Sequence, residues 1–574
     1  MTSLRLSRVL AHAWIAGLAL LILGPALGQG FVLSYDLVFT PRQDLLPAAL
    51  GLGGGLPRAV PQDAVVALVE TVVPGMLVEK VMLVAVLVVA GWGMLRLLPG
   101  TTAGLLAGTF AIVNPFVLER LVMGHWGLLL AYAIVPWAIA VSLRLRQTGD
   151  MWDGVRLVLL VAVGSLTPSG SLLVVALAVP LVFLPGSALS IGRRVATTAA
   201  CIALWLPWLL PSLMHPSDGS ADALGASVFA LRSDGPWGPI VTALGGAGLW
   251  NADVVPASRA TFLGLASTVV LLGLALVGWR SLQRTLGTPA WVWWLAVATI
   301  GLVSAVASAL APGPWGTLIE SVPGGGILRD AHKLLAPWIL LVCAAAGMGG
   351  ARVTGWLRDR GTRITAVAAL AVVAVAMTPD ALWGIGGRLE PVQYPGDWAS
   401  VRAIVHTDAR EGDVVSLPWT SFRSFDWNDN RTVLDPAPRW LPRPTVVSDD
   451  LIVATSGGPV KVSGDDPRAR VISESLGAPG TLDATLTSLG IGWALVAKDT
   501  PGEVPSLGDW QVAFSGTDLV LYVAPEDVTP VSVPALELGV VAGVDAILGV
   551  GLLLGLSALG IRRVRSLRSD PLIR

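Results

Sequence analysis

The sequence predicts an α-helical membrane protein with about twelve spans and a small α/β domain on the outer side of the membrane. Three observations lead to this prediction. Of the 574 residues, 54% are hydrophobic and 13% are charged, whereas soluble domains carry about 25% charged residues. The mean hydropathy is +0.71. Alternating strand and helix patterns are confined to residues 383–535, so most of the remaining chain is expected to lie in the membrane.

Composition also excludes several classes of function. A net charge of −1 does not suit nucleic-acid binding, which requires a basic surface. Cys201 and Cys343 lie inside apolar stretches, which predicts buried thiols and neither a disulfide framework nor a metal site. The sequence has no phosphate-binding glycine loop in a suitable context and no His/Cys set with metal-ligand spacing. No resident cofactor is expected, although paired carboxylates allow a divalent cation.

The membrane spans follow from the length of the apolar segments, because a spanning helix needs about 20 such residues. The third, fifth and sixth segments are short or interrupted by Gly or Pro. The predicted spans are 9–29, 78–97, 102–117, 127–145, 156–170, 171–187, 195–213, 260–279, 289–311, 333–350, 364–382 and 536–560.

Arginines define the orientation, since cytoplasmic loops are enriched in Arg and Lys. Arg5 and Arg8 precede span one, and further arginines follow every even-numbered span. This pattern predicts that both termini are cytoplasmic at a bacterial plasma membrane, with residues 30–77, 214–259, 312–332 and 383–535 outside. Residues 1–30 also fit a cleaved signal peptide, but the even number of spans favours a retained helix.

The chain is therefore divided into a membrane region at 1–382, an outer α/β domain at 383–535, and a last span with a basic tail at 536–574. Within the outer domain the patterns predict helices at 398–405 and 482–490, strands at 412–419 and 493–497, and a hairpin from 508–514 and 519–523. In the first outer loop, residues 65–77 fit a helix lying in the membrane interface.

Ionisable residues collect at the outer ends of the spans, where they suggest function because burial near lipid is costly. Four groups are found: Asp36, Arg42, Asp44 and Asp63 after span one; Glu119, Arg120 and His125 between spans three and four; His215, Asp218, Asp222, Arg232 and Asp234 after span seven; and Arg329, Asp330, His332 and Lys333 before span ten.

Each group also has a purely structural interpretation. Asp36 could be a solvated loop residue or a helix cap, and Glu119 with Arg120 could be an ion pair in the turn between two spans. His125 and Trp126 could anchor the chain at the membrane surface. Arg329 and Lys333 could be cations that extend toward water, although cations are the minority on this side.

Two pairs of segments carry a family resemblance. Residues 36–42 (Asp-Leu-Val-Phe-Thr-Pro-Arg) occur with 56–63 (Leu-Pro-Arg-Ala-Val-Pro-Gln-Asp), and 114–121 (Asn-Pro-Phe-Val-Leu-Glu-Arg-Leu) with 124–126 (Gly-His-Trp). Together with an Asp just after span one and a terminal outer domain, they resemble the membrane region of the actinobacterial, including mycobacterial, arabinofuranosyltransferases of the large D type. These enzymes belong to the GT-C glycosyltransferases. The resemblance covers about residues 1–380, and the long carbohydrate-binding regions of that family have no counterpart here.

The resemblance implies an inverting transferase that moves arabinofuranose from a decaprenyl phosphate donor to an envelope polysaccharide or lipoglycan. Mannose from polyprenyl phosphate fits the same architecture. Asp36 is the residue implicated as the general base, with Asp44 as the second choice. The cationic side chains of Arg329, Lys333, His332, Arg120 and His125 are candidates to hold the donor phosphate.

Glu119, Asp330 and Asp63 are further candidates for the site. Two other classes of function are kept as alternatives. A glycan-binding or assembly protein could use the aromatic and acidic stretch 424–431, which also fits a polar loop with a packed Trp. A polyprenyl-linked sugar transporter would place ionisable residues at mid-membrane, and Asp545 in the last span is the one such residue.

Overall fold

The structure is a computed structural model that describes residues 2–55, 59–214, 223–322, 324–455, 458–477, 480, 482–498 and 500–568. Helices dominate the first 390 residues and strands the region after them. The helices are α1 (Thr2–Leu23), α2 (Gln62–Glu70), α3 (Gly75–Leu97), α4 (Thr101–Val113), α5 (Pro115–Met123), α6 (Trp126–Thr148), α7 (Met151–Gly164), α8 (Pro168–Ala178), α9 (Ile191–Ala203), α10 (Leu206–Met214), α11 (Ala223–Val228), α12 (Gly238–Leu244), α13 (Phe262–Leu286), α14 (Thr288–Leu310), α15 (Pro312–Ser321), α16 (Ala336–Gly355), α17 (Arg360–Ala376), α18 (Leu382–Gly387, a left-handed turn), α19 (Gly396–Thr407), α20 (Ala437–Trp440), α21 (Pro467–Leu476), α22 (Leu482–Ser488) and α23 (Ala535–Arg568).

The strands are short, and all but the first lie after residue 390. They are β1 (Phe31–Val32), β2 (Pro391–Val392), β3 (Asp413–Leu417), β4 (Phe422–Ser424), β5 (Thr432–Leu434), β6 (Thr445–Val446), β7 (Leu451–Thr455), β8 (Gly458–Val462), β9 (Ile491–Ala497), β10 (Gln511–Ser515) and β11 (Leu519–Val523).

Seven helices among the described residues are long and apolar enough to cross a membrane, or ten if each of three bent helix pairs is one span. The bent pairs are α4 with α5, α9 with α10, and α17 with 379–387. The spans predicted at 156–170 and 171–187 fall on α7 and on α8 with its 3₁₀ extension, which are shorter than a span. The helices place the protein in a membrane, and a count of twelve stays a prediction.

Helix α16 is the centre of the bundle and packs against α13, α4 and α14. Small residues allow this close approach: a Cβ at Gly349 would overlap the carbonyl oxygen of Leu274, and one at Gly278 would overlap that of Ala345. Cys343 in α16 and Cys201 in α9 are buried and unbonded, as their apolar surroundings predict.

The region after residue 390 is built around a five-stranded sheet in the order β10–β11–β9–β3–β6. Strand β3 is parallel to β6 and β9, and the remaining neighbours are antiparallel. Strands β3 and β9 are buried along their whole length, which is typical of parallel strands in the middle of a sheet. The predicted helices coincide with α19 and α22, the predicted strands with β3 and β9, and the hairpin with β10 and β11.

Residues 30–77, predicted to be the first outer loop, join the helical bundle to this α/β region. Strand β1 pairs with β2, so that Phe31 lies opposite Val392. Further along, the Tyr35 N–H donates to the carbonyl oxygen of Thr432 at 2.7 Å, and the Tyr35 carbonyl accepts from Leu434 at 2.8 Å. The loop thereby adds its own backbone to the edge of β5.

The segment predicted as one interfacial helix at 65–77 is divided between α2 and the start of α3. Helix α2 exposes Leu68 and Val65, and Val72 beyond its end is 82% exposed. Its last residue, Glu70, points inward and accepts a hydrogen bond from the Gln43 N–H at 2.6 Å. Burial raises the pKa of the Glu70 carboxyl to about 7. This carboxyl therefore holds the loop beside Asp44 at a cost in desolvation.

Glu70→Gln tests that cost. Because the pKa of Glu70 is raised on folding, the native state retains a proton that the unfolded chain has already lost, and stability falls as the pH rises toward and through about 7. A neutral amide removes this dependence. We expect the melting temperature of the Glu70→Gln variant in detergent to exceed that of the native chain at pH 8 and to match it at pH 5. An equal difference at both pH values would instead assign the effect to packing.

Candidate functional site

Asp36 lies in a tight turn that docks on the end of α5. Its N–H donates to the carbonyl oxygen of Met123 at 3.0 Å, and the Ser34 hydroxyl donates to that of Val122 at 2.7 Å. The turn closes on itself through the Leu37 N–H and the Ser34 carbonyl oxygen, 2.9 Å apart. These bonds use carbonyl groups at the end of α5 that have no partner within the helix. The turn therefore fixes the Asp36 backbone against the membrane bundle.

The Asp36 side chain faces His125, which precedes α6. Its Oδ2 lies 3.3 Å from the His125 Nε2, and 39% of the Asp36 side chain is exposed, so a substrate can reach it. Burial lowers the pKa of His125, and the positive charges of Lys333 and Arg120 lower it further, against the opposing effect of Asp36. A neutral imidazole that donates its Nε2–H to the carboxylate fits this environment.

Gly124 allows this arrangement. It ends α5 in the left-handed conformation at φ +80°, which glycine adopts without steric cost. A Cβ at this position would overlap the backbone nitrogen of Leu37 and the carbonyl carbon of Asp36. The backbone of the Asp36 turn therefore occupies the space in which any other residue would place its side chain.

Glu119 and Arg120, expected in a turn between spans, lie instead within the nine-residue helix α5. The Arg120 side chain is completely buried, with its guanidinium 3.6 Å from the ring centre of Phe116. Its Nη1 donates to the Phe116 carbonyl oxygen at 3.0 Å, and its Nη2 donates to that of His332 at 2.9 Å. The same Nη2 lies 2.8 Å from the His332 Nδ1. Arg120 therefore joins α5 to the segment that begins α16.

Glu119 belongs to a second buried layer of charge behind Arg120. Its Oε2 lies 3.7 Å from Arg120 and accepts a hydrogen bond from the Leu249 N–H at 3.1 Å. Nearby, Asp234 and Arg259 form an ion pair at 3.2 Å with both side chains buried. Burial raises the pKa of Asp234, and Arg259 opposes that shift. No pattern in the sequence distinguishes Arg259, which is a single cation at the start of a span.

The segment before α16 supplies two accessible cations. The Lys333 Nζ lies 2.6 Å from the Asp330 Oδ2, and about a fifth of each side chain is exposed. Burial opposes ionisation of Asp330, but Lys333, Arg329 and His332 lower its pKa and keep it charged. The Arg329 guanidinium lies 4.4 Å from the ring centre of Phe229. No sequence pattern distinguishes this phenylalanine from others in the loops.

Asp44 and Asp63 occupy a different place. Asp44 pairs with Arg402 at 2.5 Å, and Asp63 pairs with Arg439 at 3.0 Å. Both arginines belong to the α/β region, so these two carboxylates join the first outer loop to that region. The structure thus brings Asp36, His125, Arg120, His332, Asp330 and Lys333 into one cluster, while Asp44 and Asp63 lie in the interface beside it.

Three further sequence candidates have other outcomes. His215, Asp218 and Asp222 lie outside the described residues. In the stretch 424–431, Trp427 stacks on Phe425 with ring centres 4.8 Å apart, which fits a packed aromatic side chain. Within the described part of the chain, no group of three or more His, Cys, Asp or Glu residues could hold a metal ion.

The fold has a counterpart among solved structures. The chain is similar to the cryo-EM structure of the arabinofuranosyltransferase AftD from Mycobacteria, with a TM-score of 0.55 and 17% identity over 90% of this chain. A variant of AftD matches equally well. The chain spans about 40% of the length of that protein. No family model and no curated protein matches the sequence.

The likeness extends further than the motifs suggested. Ninety per cent of a 574-residue chain is more than residues 1–380, so the superposition includes part of the α/β region. At 17% identity the comparison shows a shared fold, and the activity has to be argued from the site itself.

Gly124→Ala tests how the Asp36 turn is held, with Gly324→Ala as its matched control. Both glycines adopt the left-handed helical conformation, Gly124 at φ +80° and ψ 16° and Gly324 at φ +76° and ψ 10°. An alanine therefore carries a similar backbone strain at either position, but nothing lies within 4 Å of a Cβ at Gly324. We expect Gly124→Ala to lower the melting temperature further than Gly324→Ala does, since it also has to displace the turn. Equal losses in the two variants would show that the turn is not packed against Gly124.

Proposed function

We propose that this protein is a membrane glycosyltransferase that moves arabinofuranose from a decaprenyl phosphate donor to an envelope polysaccharide or lipoglycan. The observation that carries the proposal is the pairing of an accessible carboxylate, Asp36, with His125, whose side chain is 13% exposed, beside the cations that begin α16. The fold shared with an arabinofuranosyltransferase favours this sugar. Polyprenyl-phosphomannose is the second donor compatible with the same chemistry.

The proposed reaction is one displacement at the anomeric carbon. The Asp36 carboxylate takes the proton of the acceptor hydroxyl while the acceptor oxygen forms the new glycosidic bond. The bond between the anomeric carbon and the phosphate oxygen breaks, and polyprenyl phosphate leaves with the electron pair. A single displacement inverts the anomeric configuration, so the product would have the opposite configuration to the donor.

The cations have two different roles in this proposal. The Lys333 and Arg329 side chains are both partly exposed to solvent. They are therefore suited to bind the phosphate as negative charge develops on it. Arg120 is completely buried and has its hydrogen bonds committed to Phe116 and His332. We therefore assign Arg120 as a positioning residue that holds the start of α16 against α5, rather than as a phosphate ligand.

The proposed location follows from the charges. Arginines at the opposite ends of the spans favour a cytoplasmic position for both termini, and this would put the Asp36 cluster and the α/β region on the outer face of the plasma membrane. There the donor phosphate would lie at the lipid surface and the growing glycan in the aqueous phase. Membrane lipids and the two substrates are the expected partners.

The test is transfer by purified protein in nanodiscs, with decaprenylphosphoryl-arabinofuranose and a short arabinan acceptor, read by mass spectrometry of the acceptor. Loss of the general base in Asp36→Asn is expected to lower kcat by about 10²–10⁴-fold. Asp44→Asn is the matched control: it removes a carboxylate of the same loop that is paired with Arg402, and should retain activity within about fivefold.

The outcomes separate the candidate functions. Loss only in Asp36→Asn supports the proposed base, and loss only in Asp44→Asn would move it to Asp44. Transfer from polyprenyl-phosphomannose alone would change the sugar and keep the site. Absence of transfer with either donor, from folded protein, would contradict the enzyme and favour a glycan-binding protein or a transporter.

The pH profile tests the state of His125. Burial and neighbouring cations lower the pKa of His125 below the value of about 6.5 of an ordinary histidine. We expect kcat/KM to show no step attributable to His125 at or above pH 6.5, and His125→Gln to leave that part of the profile unchanged in shape. A step at or above pH 6.5 that disappears in His125→Gln would contradict this assignment.

A further inference from the structure

A cleft lined by arginines lies at the end of the bundle opposite the Asp36 cluster, between α7 and α23. Its volume is about 610 Å³. The charged residues that line it are Arg144, Arg156, Arg562, Arg563 and Asp150. By the distribution of arginines along the chain, this is the end predicted to be cytoplasmic.

The cleft has an excess of positive charge. Arg144 and Arg156 share Asp153, at 2.9 and 2.5 Å, and Arg562 lies 3.2 Å from Asp150. The Asp153 carboxylate is buried behind the two guanidinium groups, which are themselves 50% and 39% exposed. Even without Arg563, three arginines face two carboxylates, one of which is out of reach of a ligand. A phosphate group would complement the remaining charge.

An apolar groove continues from this cleft toward the middle of the membrane. Its volume is about 580 Å³, and it is lined mainly by apolar residues of α7, α9 and α23 such as Leu159, Ala200 and Leu552, with Arg193 as its one charged residue. The two cavities share both of their walls: Val155 of the groove precedes Arg156 of the cleft on α7, and Gly555 precedes Leu559 by one turn on α23. A charged head and an apolar tail are therefore arranged along one path.

Helix α23 has little else to hold it in place. Only 6% of the apolar stretch of α23 is buried inside the protein, compared with 78% of the corresponding stretch of the helix that contains α16. It nevertheless follows β11 after a short linker and so connects the α/β region to the membrane. An apolar molecule in the groove would supply the contacts that α23 lacks on the side of α7 and α9.

From this arrangement we propose that the groove is a binding site for an anionic phospholipid of the adjacent leaflet. The phosphate lies among the four arginines and one acyl chain lies between α7, α9 and α23. The lipid fixes α23 to the bundle. A free phosphate would satisfy the arginines equally but would leave the apolar groove empty, so the two ligands can be distinguished by experiment.

The experiment uses the full-length protein in a neutral detergent. The melting temperature and the lipid adducts in native mass spectrometry are measured with added phosphatidylglycerol, phosphatidylcholine or glycerol phosphate. We expect phosphatidylglycerol to bind and stabilise, and the other two to have little effect. Arg156→Gln combined with Arg563→Gln should weaken phosphatidylglycerol binding about 25-fold, since each cation near an anionic lipid contributes roughly a factor of five.

Matched variants control for surface charge and for helix composition. Arg358→Gln with Arg360→Gln removes two exposed arginines from the same predicted side but outside the cleft, and should leave binding unchanged. Gly551 lines the groove, and nothing lies within 4 Å of a Cβ there, so Gly551→Leu should fill the groove and abolish the adduct. Gly549→Leu, on the same helix but outside the groove, should retain it.

Three results would overturn the proposal. Equal stabilisation by glycerol phosphate would show a headgroup-only anion site. Equal weakening by both arginine pairs would show a general effect of surface charge. An adduct that persists unchanged in Gly551→Leu would place the acyl chain elsewhere.

Discussion

The backbone of the first outer loop has to satisfy its hydrogen bonds on two sides at once, and the arrangement of the site depends on this. On one side Asp36 and Ser34 bond to the carbonyl groups that end α5, and on the other Tyr35 pairs with the edge of β5. Buried peptide groups without partners are costly, so the loop cannot move away from either neighbour without losing bonds. The position of the Asp36 carboxylate is therefore set jointly by the membrane bundle and the α/β region.

Side chains reinforce the same junction. Asp44 and Asp63 reach across to Arg402 and Arg439, and the Tyr394 hydroxyl donates to the Phe39 carbonyl oxygen at 3.0 Å. These contacts give the α/β region a direct structural role, because it packs against one side of the loop that carries Asp36. A region that only recruited substrate would not need to pair its backbone with the loop.

Charge in the site is graded by depth. Asp36 and Lys333 are accessible, Arg120 and His332 are buried directly behind them, and Glu119, Asp234 and Arg259 form a layer further inside. Buried ions are tolerated when each has a partner of opposite charge or a hydrogen bond to the backbone, and these residues meet that condition. Burial, together with the positive charges of Lys333 and Arg120, lowers the pKa of His125 and favours a neutral ring beside Asp36. The proposed function uses the outermost layer and depends on the others for its geometry.

The sequence by itself determined the membrane class, two helices and four strands of the α/β region, and the polar groups near the span ends, because each depends on local apolar length or on short periodic patterns. It also singled out Asp36, His125 and Lys333 separately. Only the tertiary structure decided that His125 faces Asp36, that Arg120 is buried against His332, and that Asp44 is paired with Arg402. These contacts join residues far apart in the chain, such as Asp44 and Arg402, and no local pattern encodes them. The roles of Gly124, Phe229 and Arg259 likewise emerge only when helices pack, since a glycine conformation, a stacked ring and a buried cation have no periodic signal.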